Sequence, residues 1–142
     1  MENFEQLKLE NQLCFPLYTA SRLVVRSYTP LLNRLGITYP QYLVLLLMWE
    51  HRTLTVSQIT KQLYLDTSTI TPLLKRLEKI GYIKRTRSSE DERVVMIGLT
   101  EAGEKLRDEA CAIPAQLAGE LNFSEEELVE LYRLLYKYIR QS

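Results

Sequence analysis

The chain has 142 residues, of which 46% are hydrophobic and 25% charged, the composition of one ordinary folded domain. Its formal net charge of zero gives no sign of a uniformly basic nucleic-acid binder. The charge is unevenly placed, however, with 13 Lys and Arg against 9 Asp and Glu in residues 1–99, and 5 against 9 in residues 100–142. A modestly basic body and an acidic C-terminal part favour an oriented electrostatic surface.

Several classes of protein and site are disfavoured by simple features. The N-terminal segment MENFEQLKLENQ is polar and mixed in charge, so we expect no signal peptide. The longest apolar run, Tyr42 to Trp49, is too short to cross a bilayer. These features predict a cytoplasmic protein without a membrane partner. Cys14 and Cys111 lie far apart and favour no disulfide framework, and His51 has no His or Cys near it, so we expect no metal site or other cofactor.

The first helical pattern runs from about Leu9 to Leu35 and ends at Gly36. Pro16 interrupts it, which leaves two possibilities: the helix starts near Phe15 with Pro16 in its first turn, or it is kinked there. Pro30 predicts a bend in the second half. The apolar side of this helix consists of Leu13, Leu17, Ala20, Leu23, Val24, Leu31 and Leu35.

Two capping boxes mark the next two helices. The pairs Thr38–Gln41 and Thr55–Gln58 both have the required spacing. The first pair opens a helix that continues through Tyr42–Glu50 and is apolar almost all round, so we expect it at the centre of the core. The second pair opens a short third helix.

A fourth helix follows, with Asp66 as its N-cap and Gly81 where a C′ glycine would end it. Short hydroxyl side chains lie near the start of its polar face and cations lie further along. A helix in the major groove needs such groups for base edges and phosphates, although a merely solvated face would look similar. The candidates for groove contacts are Thr67, Ser68, Thr69 and Thr71, and those for phosphate contacts are Lys75 and Arg76.

A basic hairpin is predicted directly after this helix. Its strands are expected at Tyr82–Arg87 and Val94–Leu99. Arg85 and Arg87 lie near its tip, where they could reach phosphates or a narrow minor groove. Arg93 is the best wing contact, oriented by a charge-assisted bond to Asp91, unless the two form only a surface pair of little energetic weight. The hairpin and helix together predict a winged helix-turn-helix.

The C-terminal part of the chain is again helical. Thr100 caps a fifth helix whose end, near Pro114 and Gly119, the sequence leaves open. Ser124 and Glu127 form a capping box for the last helix. Its apolar positions are Leu128, Leu131, Tyr132, Leu135 and Tyr138. Apolar helical segments thus lie at both ends of the chain, outside the winged helix, and need a surface to cover them.

The run DTSTITPLLKRLEKIGYIKRTRSSEDERVVMIGLT resembles the DNA-binding lobe of the MarR (multiple antibiotic resistance regulator) family. The wing motif of that family is Asp-x-Arg followed by an apolar strand and Leu-Thr. It is matched by Asp91, Arg93, Ile97, Leu99 and Thr100. The resemblance covers nearly the whole chain.

This resemblance implies a mainly α fold with a small β-wing. It implies one domain, with a winged helix-turn-helix at 37–99 and dimerisation helices at 1–36 and 100–142. Members of this family form two-fold dimers, which places two recognition helices about 34 Å apart on double-stranded DNA with a pseudo-palindromic operator. The alternative is a monomer whose terminal helices pack on themselves.

Cys14 lies in LENQLCFPLY, near the start of the first helix. Taken alone, a cysteine there is more often a small buried hydrophobe than a reactive thiol. The segment LENQLCF, with Tyr18, Tyr28 and the TYPQY segment containing Tyr39, resembles the organic-hydroperoxide-sensing (OhrR-type) branch of the family. That resemblance implies that Cys14 is the peroxide sensor and that Tyr28 and Tyr39 donate hydrogen bonds to it across the dimer interface. Packing of phenols at an interface is the alternative for the tyrosines.

The implied chemistry begins with a thiolate that attacks a peroxide oxygen and becomes a sulfenic acid. The sulfenic acid condenses with a second thiol, either a low-molecular-weight thiol or Cys111, which is otherwise a small buried residue. Apolar neighbours such as Leu13, Phe15 and Leu17 favour organic hydroperoxide over hydrogen peroxide. The leading hypothesis is a dimeric repressor that releases DNA when Cys14 is oxidised.

Two other functions remain open. In the first, a small anionic or phenolic ligand controls DNA binding from a site between the dimerisation and DNA-binding lobes, as in other MarR-type proteins. In the second, the chain is a thiol peroxidase, although it has no Thr-x-x-Cys-type activation motif. We therefore expect a regulator rather than an enzyme.

Overall fold

The computed structural model describes residues 3–142, which are mainly helical and include one small antiparallel sheet. The α-helices are α1 (Cys14–Asn33), α2 (Tyr39–His51), α3 (Val56–Leu63), α4 (Thr67–Ile80), α5 (Glu101–Ala110), α6 (Ile113–Leu121) and α7 (Glu125–Ile139). The strands are β1 (Thr53–Thr55), β2 (Ile83–Arg87) and β3 (Val95–Leu99). The predicted fold class, mainly α with a winged helix-turn-helix, is confirmed.

The chain divides into two compact units. The first extends up to Cys111 and contains the winged helix together with α1 and α5, and the second is Ala112–Ser142 with α6 and α7. The boundary falls inside the segment 100–142 that we predicted as one dimerisation region, because the helix capped by Thr100 already ends at Ala110. The grouping of all these elements into one domain stays a prediction.

The start of α1 follows the first of the two possibilities that Pro16 left open. The helix begins at Cys14 and holds Pro16 in its first turn, where a missing backbone donor costs little. The other possibility, a helix from about Leu9 that is kinked at Pro16, was wrong, since two short 3-10 helices, Glu5–Leu7 and Leu9–Asn11, precede α1. Pro30 lies within the continuous helix.

The predicted caps are confirmed. Thr38 and Gln41 exchange hydrogen bonds of 2.9 and 3.4 Å at the start of α2, and Thr55 and Gln58 exchange bonds of 2.9 and 3.0 Å at the start of α3. As expected, α2 contributes much of the core. Its fully buried apolar side chains are Tyr42, Val44, Leu45 and Met48.

The sheet has three strands rather than the two that we predicted. The order is β1-β3-β2, with Leu54 of β1 and Arg85 of β2 both opposite Ile97 of β3. β1 has only three residues, too few for an alternating pattern. Its last residue, Thr55, is also the N-cap of α3, and the capping signal conceals the strand.

Helix α5 is bound to the C-terminal end of α4. The Thr100 hydroxyl accepts from the Gly103 N–H at 3.1 Å and donates to the Gly81 carbonyl at 2.5 Å. Gly81 ends α4 with a φ of 102°, a left-handed conformation that glycine adopts without strain. One side chain thus joins the first turn of α5 to Gly81, the residue that directly follows α4.

The second contact of α5 is with α2. The Trp49 indole donates to the Gly103 carbonyl at 2.8 Å, and the Arg52 guanidinium lies 2.6 Å from the Glu104 carboxylate. That ion pair raises the pKa of Arg52 and lowers the pKa of Glu104 through the hydrogen bond that joins them. Helix α5 is therefore part of the first unit and not a free extension of it.

We predict that Gly103→Ala destabilises the fold by about 1–3 kcal/mol, the usual cost of overpacking. A methyl group there would overlap the Tyr82 carbonyl oxygen and lie 2.7 Å from Leu99 Cδ1. Urea denaturation at fixed protein concentration measures the loss. Gly119→Ala is the control, because a methyl group at that position in α6 meets nothing within 4 Å. An equal stability for both variants would contradict the close packing at Gly103.

Candidate functional site

A groove of about 440 Å³ lies between α4, the predicted recognition helix, and the wing, defined here as β2, β3 and the loop between them. Its polar lining consists of Thr55, Ser57, Thr67, Thr71, Arg85 and Arg93. The last four belong to the predicted DNA-contacting set, so residues from the helix and the hairpin meet on one surface. Thr55 and Ser57 were not predicted, because the sequence shows Thr55 only as a helix cap.

The first turn of the recognition helix orders its own hydroxyl groups. Asp66 Oδ1 accepts from the Thr69 N–H at 2.8 Å and from the Ser68 hydroxyl at 2.7 Å. These bonds, that of Ser68 first, lower the pKa of the Asp66 carboxyl. Ser68 is thus engaged within the cap, whereas Thr67 and Thr71 line the groove. Lys75 and Arg76 are exposed further along the helix.

The predicted orientation of Arg93 by Asp91 is present. Asp91 Oδ1 accepts from Arg93 N at 3.0 Å and from Nε at 3.2 Å, and Oδ2 accepts from Nη2 at 3.4 Å. The backbone hydrogen bond and then the guanidinium lower the pKa of the Asp91 carboxyl. The Arg93 side chain is nonetheless 91% exposed. It is held in direction but open to an anionic partner.

The other two wing arginines have partners within the protein. Arg85 donates its backbone N–H and its Nε–H to the Glu78 carboxylate. Arg87 Nη1 donates to the Glu92 carbonyl at 2.8 Å and so bridges the loop. Their guanidinium groups are therefore less free than that of Arg93.

Cys14 is the exposed first residue of α1 and is a free thiol. The α-helix rises 1.5 Å per residue, so Tyr28, fourteen positions later, lies about 21 Å further along the axis. Within one chain, therefore, the structure does not bring Cys14 to Tyr28. Tyr18 follows Cys14 by one turn and is exposed, with its ring centroid 5.1 Å from Arg22 Cζ.

The structure does bring the predicted tyrosines together. The rings of Tyr28 and Tyr39 have centroids 4.7 Å apart, and Tyr42 lies 5.6 Å from Tyr28. Burial, followed by the neighbouring phenols of Tyr39 and Tyr42, raises the pKa of Tyr28 to about 12. Burial also raises the pKa of Tyr39. Both phenols are consequently neutral hydrogen-bond donors at physiological pH.

Cys111 lies at the end of α5, where its thiol donates to the Asp108 carbonyl at 3.1 Å. It is exposed within a single chain, as is Cys14, so neither cysteine is buried by its own chain. Residues 3–142 contain no cluster of three His, Cys, Asp or Glu side chains that could hold a metal ion. The same part of the chain has no helix long and apolar enough to cross a membrane.

Residues 26–110 match the family model described as "Transcriptional regulator SarA/Rot". The organic hydroperoxide resistance transcriptional regulator of Bacillus subtilis (strain 168) is 56% identical over 137 residues, which is 96% of this chain and 93% of that relative. The chain belongs to the MarR/SarA family of transcriptional regulators. The resemblance inferred from the wing motif is thereby confirmed.

Solved structures of this family share the fold of the regulator. Reduced AbfR bound to DNA matches with a TM-score of 0.81 and 36% identity, covering 96% of both chains. Disulfide-formed AbfR matches with a TM-score of 0.67 and 40% identity, covering 95% of both chains. AbfR is a protein of Staphylococcus epidermidis.

We predict that Tyr28 makes the stability of the regulator depend on pH between about 10 and 12. A pKa raised in the folded state means that folding favours the neutral phenol, so its contribution is complete below pH 10 and is lost as the pH approaches 12. Urea denaturation across this range should show the wild type losing stability relative to Tyr28→Phe. Measurements below pH 9, where both proteins carry neutral rings, supply the baseline. Parallel curves throughout would contradict the raised pKa.

Proposed function

We propose that this regulator is a homodimeric repressor that binds a pseudo-palindromic site on double-stranded DNA and leaves it when organic hydroperoxide oxidises Cys14. One observation carries the proposal. Cys14 is an exposed thiol in the first turn of a helix, in a chain 56% identical to a regulator named for organic hydroperoxide resistance. The regulator acts in the cytoplasm, where DNA is, and consumes the oxidant stoichiometrically rather than as an enzyme.

A second copy of the chain is supported by apolar faces that one copy leaves exposed. Leu13, the N-cap of α1, is 87% exposed, and Leu17 and Leu23 in that helix are also open to solvent. Helix α7 contains no buried residue at all, and its exposed side chains include Tyr132 and Tyr138. Apolar surface of this extent favours association. A homodimer would cover it and would hold two recognition helices about 34 Å apart, one turn of DNA.

In the proposed complex, each recognition helix enters a major groove. Thr67 and Thr71 meet base edges, while Lys75 and Arg76 contact phosphates. Arg93, exposed and directed by Asp91, reaches the backbone or a narrow minor groove from the wing. Placement of helix and wing residues around one groove supports this assignment.

Oxidation begins with the Cys14 thiolate. Its sulfur attacks the terminal oxygen of the hydroperoxide, an S–O bond forms and the O–O bond breaks. The sulfur becomes a sulfenic acid, and the departing alkoxide takes a proton from solvent and leaves as the alcohol. Tyr28 and Tyr39 of the partner subunit donate hydrogen bonds to the thiolate. The 21 Å that separate Cys14 from Tyr28 in one chain support this exchange between chains.

The sulfenic acid then condenses with a second thiol, which forms a disulfide and releases water. Cys111 is one candidate because it is exposed and free, and a structure of disulfide-formed AbfR shows that a related regulator forms such a bond. A low-molecular-weight thiol is the other candidate. Either product disturbs the contacts between Cys14 and the tyrosines and changes the spacing of the two winged helices in the dimer. Both half-sites must be engaged together, so a small change in spacing suffices for release.

We predict that stoichiometric cumene hydroperoxide releases the wild type from its operator and that dithiothreitol restores binding. The Cys14→Ser variant should bind DNA as well as the wild type but should not respond, since a hydroxyl is not oxidised. Electrophoretic mobility shifts before and after each reagent measure this. Cys111→Ser separates the two resolving thiols: after peroxide alone, mass spectrometry should find a Cys14 disulfide in the wild type but not in this variant if Cys111 resolves, whereas a low-molecular-weight thiol must be added to form one in either protein if it does not. Release of the Cys14→Ser variant from the operator by the peroxide would contradict the proposal.

We predict that Arg93→Ala weakens operator binding by about 1–3 kcal/mol and leaves the fold intact. The reason is that Arg93 is exposed and its removal leaves no buried group unpaired. Fluorescence anisotropy with a labelled operator measures the loss. Lys105→Ala is the control, because it removes an exposed cation, paired like Arg93 with a nearby carboxylate, from α5 and outside the groove. Unchanged affinity for Arg93→Ala would refute the wing assignment.

A further inference from the structure

An acidic side chain joins the recognition helix to the wing. Glu78, in the last turn of α4, accepts from the Arg85 backbone N–H at 3.1 Å and from Arg85 Nε at 3.2 Å, one bond on each carboxylate oxygen. These two side chains are only 38% and 31% exposed, against 91% for Arg93. Glu78 thus binds both the main chain and the side chain of one residue in β2.

The main chain fixes the same corner. The Glu78 carbonyl accepts from Gly81 N at 3.0 Å, and the Leu77 carbonyl accepts from Tyr82 N at 3.0 Å. Gly81 reverses the chain in a left-handed conformation. The hydrogen bonds of the Glu78 side chain then join it to Arg85, which lies seven positions later in the sequence. The residue before β2 and the middle of β2 are consequently both held against the end of α4.

The position of Glu78 is unexpected for a surface that binds phosphates. Its partner Arg85 lines the groove, and a carboxylate beside the groove reduces the attraction for a polyanion. If Arg85 served mainly as a phosphate contact, Glu78 would oppose that role. The two hydrogen bonds that Glu78 accepts from Arg85 instead indicate a structural role, in which the carboxylate fixes the position of the wing.

We propose that Glu78 and Arg85 form a positioning strut that sets the angle between wing and recognition helix and so determines the sequence specificity of DNA binding. This inference rests on the proposed DNA-binding function. A specific site needs Arg93 on the wing and Thr67 and Thr71 on the helix to engage one duplex together. Binding to arbitrary DNA depends on phosphate charge and does not need that angle.

The test compares two duplexes of equal length: one selected from a random pool by the wild-type protein, and one of random sequence. Glu78→Ala should bind the selected duplex on the order of fivefold more weakly, and the random duplex as tightly as the wild type or more tightly. Arg85→Ala should lower the ratio of the two affinities similarly. The double variant should have the same ratio of affinities as either single variant, because each single substitution already removes the whole strut. Glu78→Gln, which keeps one acceptor oxygen, should fall between Glu78→Ala and the wild type.

Glu90→Ala is the matched control. Glu90 is an exposed acid of the wing loop and has no ion pair within residues 3–142, so its removal should leave binding of both duplexes unchanged or strengthened. Tighter binding of both duplexes by Glu78→Ala would show that Glu78 only neutralises charge, and would overturn the strut. If Glu78→Ala does not fold, Glu78→Gln and Arg85→Ala test the strut instead. An unchanged ratio of the affinities for the selected and the random duplex in these two variants would reject the strut. A wild type that selects no sequence would instead overturn the proposed function, and the strut with it.

Discussion

The close approach of α5 to the corner between α4 and β2 is the constraint on which the first unit depends. Gly103 has no side chain, and this absence lets the first turn of α5 lie against the Tyr82 carbonyl. Thr100 can then cap α5 and bind Gly81 with one hydroxyl, and Trp49 can reach the Gly103 carbonyl. The recognition helix, the wing and the central helix α2 therefore meet α5 within a few residues.

This arrangement connects the cluster of Tyr28, Tyr39 and Tyr42 to the recognition helix through a series of contacts. Tyr42 contacts Tyr28 on one side, and on the other its ring centroid lies 6.3 Å from that of Trp49, nearly edge-on. The Trp49 indole binds Gly103, which lies in the turn joined to the end of the recognition helix. These contacts form a continuous packed series from Tyr28 to the end of the recognition helix.

Local signals predicted most of the fold, and contacts across the chain were the part they missed. Caps such as Thr38 and Asp66 act within four residues, so their residue types alone identify them. β1 was not predicted because its three residues are stabilised by pairing with β3, more than forty positions away in the sequence. The pairing of Asp91 with Arg93 was predictable from adjacency, but the capture of Arg85 by Glu78 depends on how the hairpin folds back on α4. The exposure of Cys14 and Cys111 likewise depends on packing, which no short pattern specifies.

The separation of Cys14 from Tyr28 along α1 has a consequence for when the regulator can respond. In the proposed dimer each sensor is shared, with its thiol from one chain and its phenols from the other. A lone chain would hold every chemical group of the sensor and still lack the assembled site. Responsiveness would then follow the dissociation constant of the dimer as well as the dose of oxidant. A cell that makes more of this protein would change the fraction of competent sensors as well as their number.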